Sequence, residues 1–200
     1  MVEESNISNI VKDFLEVQSQ CIKEIKENSQ TIDKIIKIII SARNNNKTIF
    51  TMGNGGSGST ASHFVSDLQK TMIMKNEKRL KSISLVDNIP VILAWSNDVS
   101  FESIFEEQLK NHLGKGDIVI AFSGSGKSKN VVNALKFAKK KGAKCIGFTG
   151  RDGGHFNRIC DVVFKVPSSD MLTIESQHVA ICHCVAYTIR NLGKPMFRYE

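Results

Sequence analysis

The sequence predicts an α/β fold in which helices cover both faces of a central parallel sheet. Short apolar runs typical of buried strands alternate with helical patterns between residues 48 and 191. Two of these runs end in loops of glycine and serine that open a helix, and no linker or low-complexity stretch interrupts the alternation. We therefore expect one α/β domain over residues 47–200, preceded by helices within residues 1–46.

Two amphipathic helices are predicted before the first strand. Apolar residues recur at helical spacing over about residues 5–26 and 31–43, and the polar run 44–47 ends the second helix. Their apolar stripes require a partner, so we expect them to pack on the domain, on partner subunits, or on both. The acidic and then amphipathic beginning is unlike a secretory signal, which predicts a cytoplasmic protein.

The remaining elements follow from apolar runs and from the loops between them. In the first half we predict a strand over 48–52, a glycine-rich loop over 53–59 and a helix over 60–72. A strand over 82–86, a short helix or turn over 95–98 and a helix over 101–113 follow. In the second half we predict a strand over 117–122, a loop over 123–128 and a helix over 129–141. A strand over 144–149, a loop over 150–154, a strand over 162–166 and a helix over 172–191 follow.

The composition excludes several classes of protein. No apolar run approaches the roughly 18 residues of a membrane span. The net charge is +7, but the lysines are spread along helices rather than gathered with aromatic residues, so no nucleic-acid partner is expected. The five cysteines are odd in number and form no C-x-x-C pair, which favours reduced core thiols and packing roles for Cys182 and Cys184.

The two small-residue loops predict a phosphate site. They are Gly53–Ser59 and Ser123–Ser128, and each follows a strand and opens a helix. Glycine lets the backbone approach a ligand closely, and a helix start offers unpaired N–H groups and a positive dipole end. In a parallel sheet both loops lie at the carboxyl ends of the strands, where ligands usually bind.

Two nucleotide-binding alternatives fit less well. Residues 121–128 nearly spell a P-loop, but Ala121 replaces its first glycine and no later apolar strand ends in an aspartate placed to hold magnesium. The fingerprint G-x-G-x-x-G fits Gly53, Gly55 and Gly58, but no well-placed acidic residue ends the next strand, where Asp87 comes too late.

Four titratable residues predict an acid–base or metal site. His63 and Asp67 stand four apart and share one helix face, while Glu175 and His183 stand eight apart, about 80° around a helix. Together they could hold zinc or another divalent ion, or move protons between adjacent sugar carbons. His178 lies about 140° from His183, so we expect it in the core or at an interface.

Several motifs resemble the phosphoheptose isomerase family in order and spacing. They are Gly53-Asn54-Gly55-Gly56-Ser57 with His63, Ser96-Asn97-Asp98, Ser123-x-Ser125-Gly126-x-Ser128-x-Asn130-Val131 and Thr149-Gly150-Arg151-Asp152-Gly153-Gly154. The resemblance covers nearly the whole chain. It implies a SIS-type three-layer α/β/α sandwich and an enzyme that converts D-sedoheptulose 7-phosphate to D-glycero-D-manno-heptose 7-phosphate for bacterial surface polysaccharide. It also implies a homotetramer with shared active sites.

The same resemblance implies roles for individual residues. Substrate-binding residues would be Asn54, Gly55, Gly56, Ser57, Asn97, Asp98, Ser123, Gly124, Ser125, Ser128 and Glu175, of which the four serines hold the phosphate. One zinc ion per subunit would be held by His63, Asp67, Glu175 and His183. Asp67 and His183 would transfer the protons.

Two departures from the family pattern concern these acid–base positions. Asp67 stands where the family usually has glutamate, and Glu175 stands where it usually has glutamine. Two alternatives therefore stay open: a non-catalytic sugar-phosphate-binding SIS protein of the replication-initiator-associating type, and an isomerase of another phosphosugar.

Overall fold

The computed structural model describes residues 4–197 and contains eight α-helices and five strands in that range. The first half of the chain forms α1 (Glu4–Glu27), α2 (Gln30–Asn44), β1 (Thr48–Gly53), α3 (Gly55–Ser66), β2 (Lys81–Ser84), α4 (Ile89–Asp98) and α5 (Ile104–His112). The second half forms β3 (Ile118–Phe122), α6 (Lys129–Lys140), β4 (Lys144–Thr149), α7 (Phe156–Ile159), β5 (Val162–Lys165) and α8 (Met171–Asn191).

The five strands form one parallel sheet in the order β2-β1-β3-β4-β5. In the central pair, Ile49 lies opposite Ile118 and Gly53 lies opposite Phe122. Because these neighbouring strands end at the same level, the loops that follow them leave the same edge of the sheet side by side. The predicted parallel sheet is thus confirmed, and its topology brings the two glycine–serine segments together.

Side chains alternate between two hydrophobic clusters, one on each face of the sheet. Ile49, Ile118 and Phe122 point to the face covered by α2, α3 and α8. Phe50 and Val119 point to the opposite face, which α5 and α6 cover. Side chains of a strand point alternately to its two faces, so a sheet covered on both sides needs apolar residues at nearly every position. The three-layer α/β/α architecture is confirmed.

The two N-terminal helices differ in how they pack. On α2, Ile35 and Ile39 are fully buried under the sheet. On α1, Cys21 and Ile25 join the same cluster, but five apolar residues of its first half stay exposed: Ile7, Ile10, Val11, Phe14 and Leu15. No helix in the described part of the chain combines the length and apolarity needed to cross a bilayer.

Helix α3 differs from its predicted bounds at both ends. It starts at Gly55, inside the segment predicted as a loop, because glycines there let the chain turn tightly: Gly55 has φ +51, and a Cβ on Gly53 would lie 2.5 Å from the Ser57 carbonyl oxygen. At the other end, Asp67–Thr71 forms a wide π-helical turn, a feature frequent at functional sites.

The cysteine prediction is partly wrong. Cys182 is fully buried in the core as predicted, but Cys184 is exposed on α8 because residues two apart on a helix face different sides. The predicted division into residues 1–46 and 47–200 includes residues 1–3 and 198–200, which lie outside the described residues.

Candidate active site at the carboxyl edge of the sheet

A cavity of about 290 Å³ lies at the carboxyl ends of β1 and β3. It is lined by nine of the predicted substrate-binding residues, namely Asn54, Gly55, Gly56, Ser57, Ser123, Gly124, Ser125, Ser128 and Glu175. Phe122 and Met171 also line it, and neither was predicted from the sequence as a site residue. Phe122 was assigned only to its strand, and Met171 carried no signal because it starts α8 outside every motif.

Two helices begin at this cavity, and the side chain that precedes each helix does not cap it. Asn54 precedes α3 and Ser128 precedes α6, and neither side chain accepts a hydrogen bond from the first turn of its helix. The N–H groups of a first helical turn have no partner within the helix and carry the positive end of its dipole. The Ser123 and Ser128 hydroxyl groups lie 3.2 Å apart at the same place. This arrangement suits an anion such as phosphate, so we call this space the anion cavity.

His63, Asp67 and His183 form a second cluster between α3 and α8. The two Nε2 atoms of the histidines lie 2.7 Å apart, and Asp67 Oδ2 lies 3.5 Å from His63 Nε2 and 3.8 Å from His183 Nε2. The histidine side chains are 44% and 56% exposed, whereas the Asp67 side chain is only 8% exposed. The cluster therefore opens to a ligand from the histidine side and rests on a buried carboxylate.

The donor set of this cluster fits a divalent metal ion. One ligand atom from each of the three residues lies within 4.8 Å of the others. Asp67 Oδ2 is buried without a hydrogen-bond partner, and such an atom in a folded protein needs an explanation such as a bound ion. Two imidazoles and one carboxylate form a typical set of three protein ligands for catalytic zinc, whose fourth position stays open.

Glu175 lies away from this cluster, although it was predicted to share the metal. A Cβ added to Gly56 would overlap the Glu175 carboxylate, so this side chain lies against the first turn of α3 and lines the anion cavity. Glu175 thus contacts the start of α3, and His183 contacts His63 farther along. Helices α3 and α8 therefore run side by side in the same direction.

Asn97 and Asp98 are not brought to the cavity within one chain. Both are exposed at the end of α4, where the Asn97 amide donates a 2.8 Å hydrogen bond to the Asp98 carboxylate. Other residues of α4 expose apolar side chains, including Ile89 and Leu93.

His178 is fully buried on α8, which confirms the core alternative for this residue. Its ring packs against Phe122 and Phe148, with ring centroids 5.9 and 5.8 Å away, and its Nε2 lies 3.4 Å from the Thr149 carbonyl oxygen. The Thr149 hydroxyl in turn donates to the Gly124 carbonyl at 3.2 Å. His178 thus packs α8 against the strand end and loop that form the floor of the anion cavity.

Burial makes His178 a source of acid sensitivity. Desolvation lowers the pKa of this imidazole from 6.5 to about 4, and the hydrogen bond with the Thr149 carbonyl only partly opposes that shift. The unfolded chain therefore binds more protons than the folded one between these values, so stability falls as the pH drops from about 6.5 towards 4. We expect a loss on the order of 3 kcal/mol across this window.

The measurement is urea unfolding of metal-free protein at a series of pH values, compared with His178→Phe, which keeps an aromatic ring and removes the titration. The variant is expected to lose much less stability than the parent chain between pH 6.5 and 4. Equal pH dependence in the two proteins would contradict the assignment of this proton to His178.

Residues 13–150 match the SIS domain family, in agreement with the parallel sheet and the serine-lined cavity at its carboxyl edge. The chain is therefore a SIS-domain protein. It is 38% identical to a phosphoheptose isomerase of Aliarcobacter butzleri, with 92% of this chain and 97% of that protein covered. The chain belongs to the phosphoheptose isomerase family.

Solved structures agree with this membership. The structure of a phosphoheptose isomerase from Francisella tularensis superposes with a TM-score of 0.86 at 27% identity and covers 92% of this chain and 97% of that one. A phosphoheptose isomerase from Neisseria gonorrhoeae gives a TM-score of 0.86 at 25% identity, with 92% and 99% covered. These relatives give no support to the alternative of a non-catalytic binding protein.

Proposed function

We propose that this protein is an aldose–ketose isomerase that converts D-sedoheptulose 7-phosphate to D-glycero-D-manno-heptose 7-phosphate. Family membership supports the reaction class, because the relatives at 34–38% identity carry the name phosphoheptose isomerase. The residues of the cavity and of the His–Asp–His cluster support the chemistry. The product would feed heptose synthesis for bacterial surface polysaccharide in the cytoplasm.

One observation carries the proposal: the anion cavity and the proton-transfer cluster lie along the same pair of helices. Gly56 and Glu175 mark the cavity end, and His63 and His183 mark the other end. His63 stands seven positions after Gly56 on α3, which is about 10 Å along the helix axis. A sugar held by its terminal phosphate at the first end would present its carbonyl carbon towards the second. The spacing therefore favours a long-chain phosphosugar.

Phosphate binding is assigned to the serines and to the first-turn N–H groups of α3 and α6. Ser57, Ser123, Ser125 and Ser128 line the cavity, and a serine hydroxyl can donate a hydrogen bond to a phosphate oxygen. Asn54 and the glycine backbone at positions 55, 56 and 124 complete the contact surface. The phosphate stays fixed while the reaction takes place at the far end of the sugar, so its role is positioning.

Proton transfer is assigned to Asp67 and His183. The carboxylate of Asp67 removes a proton from carbon 1 of the ketose, and the C–H electron pair moves to form an enediol as the oxygen on carbon 2 takes up a proton. His183 then returns a proton to carbon 2, and the hydroxyl on carbon 1 loses its proton to become the aldehyde. Positioned acid and base groups typically contribute 10²–10⁴-fold each to such steps.

We assign His63, Asp67 and His183 as ligands of one zinc ion per subunit, with Glu175 on the substrate side of the site. When bound, the ion would act as a Lewis acid that polarises the sugar oxygens. The buried Oδ2 of Asp67, which accepts no hydrogen bond, and the close approach of the two imidazoles support this assignment.

We further propose a homotetramer with active sites shared between subunits. The exposed apolar residues of α1 and α4 need cover, since larger exposed apolar surfaces mark interaction sites. Asn97 and Asp98 stand on α4 away from their own cavity, so in this assembly they would contact the sugar bound by a neighbouring subunit.

The test is a coupled assay of the purified protein on a small panel of ketose phosphates, with zinc content measured in parallel. We expect turnover of sedoheptulose 7-phosphate with a kcat/KM at least tenfold above that for shorter ketose phosphates. Binding without turnover of any of them would contradict the proposal, and preference for a shorter sugar would indicate an isomerase of another phosphosugar.

A further inference from the structure

Asn54 and Asn130 pair through their side-chain amides. Asn54 Nδ2 donates to Asn130 Oδ1 at 3.0 Å, and Asn130 Nδ2 donates back to Asn54 Oδ1 at 2.8 Å. Asn54 precedes α3 in the first glycine–serine segment, and Asn130 lies in the first turn of α6 after the second. The pair therefore joins the two segments that form the anion cavity.

The orientation of the Asn130 amide is fixed by its surroundings. Asn130 is 2% exposed, and its Oδ1 also accepts the Val131 N–H at 2.9 Å. Because that neighbour is a donor, the oxygen must face it, and the NH₂ group is left to face Asn54. A buried amide with all these partners is costly to replace by a side chain of different hydrogen-bonding capacity.

This pairing also explains why α3 begins without a cap. An asparagine in the position of Asn54 normally accepts a hydrogen bond from the first turn of its helix. Here its oxygen accepts from Asn130 instead, so no side-chain cap forms and the N–H groups of Gly56 and Ser57 stay available at the cavity. The pair thus joins the two helix starts and also leaves N–H groups of α3 available to bind an anion.

We propose that Asn130 is a positioning residue for phosphate binding: through its paired amide it holds Asn54 away from the start of α3 and keeps the starts of α3 and α6 facing one cavity. It does not line the cavity itself. The inference rests on the phosphate-binding part of the proposed function and not on turnover. Inorganic phosphate is therefore the probe, and failure of the isomerase assay would leave these measurements interpretable.

The experiment is calorimetric titration of inorganic phosphate into the full-length chain and its variants. Asn130→Ala is expected to raise the Kd of phosphate about tenfold. Asn54→Ala also breaks the pair, and the double variant should be no weaker than the weaker single variant, because residues acting as a unit are not additive. Asn133→Ala is the matched control on the same helix; its amide makes only a 3.5 Å contact with the Glu102 carbonyl, and it should bind phosphate like the parent chain.

Asn130→Asp provides a second, independent measurement. If Asn130 served only for packing, the effect of this substitution on the Kd of phosphate would not change with pH. At pH 7.5 its carboxylate cannot donate to Asn54 Oδ1, so phosphate binding should weaken. As the pH falls towards 5, the buried carboxylate introduced at position 130 takes up a proton and can again donate a hydrogen bond. The Kd of phosphate should therefore approach that of the parent chain measured at the same pH.

Three results would overturn the proposal. They are parental phosphate affinity in both Asn130 variants, multiplicative losses in the double variant, and a loss in Asn130→Asp that does not change with pH.

Discussion

Asp67→Asn and His183→Ala are each expected to lower the turnover of sedoheptulose 7-phosphate at least a hundredfold. The asparagine preserves the shape of the buried side chain but cannot accept a proton from carbon 1. The alanine removes the imidazole whose Nε2 lies 2.7 Å from Nε2 of His63. Loss of a positioned acid or base typically costs 10²–10⁴-fold in rate, whereas the phosphate end of the cavity is left intact, so KM should change far less than kcat.

The control for these two variants is His112→Ala, which removes an exposed histidine at the end of α5. Zinc content measured on each variant separates a lost ligand from a lost proton carrier. Asp67→Asn that retains zinc and loses turnover supports proton transfer by this carboxylate. Turnover within a few-fold of the parent chain in both variants would remove the assigned roles.

Gly53→Ala is expected to damage both stability and phosphate binding, although it adds only a methyl group. A Cβ at this position would lie 2.5 Å from the Ser57 carbonyl oxygen and 3.0 Å from the Gly58 nitrogen. These are backbone atoms at the start of α3, so the helix start itself must move. Overpacking of this kind costs about 1–3 kcal/mol, and the shift of Ser57 should raise the Kd of phosphate at least tenfold.

Gly142→Ala separates these two effects. Gly142 has φ +81 in the turn before β4, at the opposite edge of the sheet, and a Cβ there would meet Lys115 only at 3.4 Å. Backbone strain should lower its stability by about 1 kcal/mol without changing phosphate affinity. Thermal unfolding and phosphate titration of both variants provide the comparison. Unchanged phosphate affinity in Gly53→Ala would contradict the placement of the anion at the start of α3.

The sequence predicts most of the fold because its three central strands carry apolar residues on both faces. The run from Thr48 to Gly53 is buried from its second residue onward, and such runs alternating with helices admit only a sheet covered on both sides. The loops after β1 and β3 could be assigned to one edge, since parallel strands all end at the same edge.

The details of the site depend on contacts between distant residues, which local patterns do not contain. Asn130 was recognised only as part of a motif, because its partner Asn54 lies 76 positions earlier in the chain. Glu175 was predicted at the metal from its angle to His183, yet the offset between α3 and α8 brings it to Gly56. The π-helical turn at Asp67 had no sequence signal.

The most direct test of the account is the reaction of sedoheptulose 7-phosphate in D₂O, followed by NMR of the sugar product. The proton removed from carbon 1 and the proton delivered to carbon 2 are carried by different groups, and the delivering imidazole takes its proton from solvent, so we expect an aldose that carries deuterium on carbon 2. Product without solvent deuterium, or no product at all, would contradict proton transfer by Asp67 and His183.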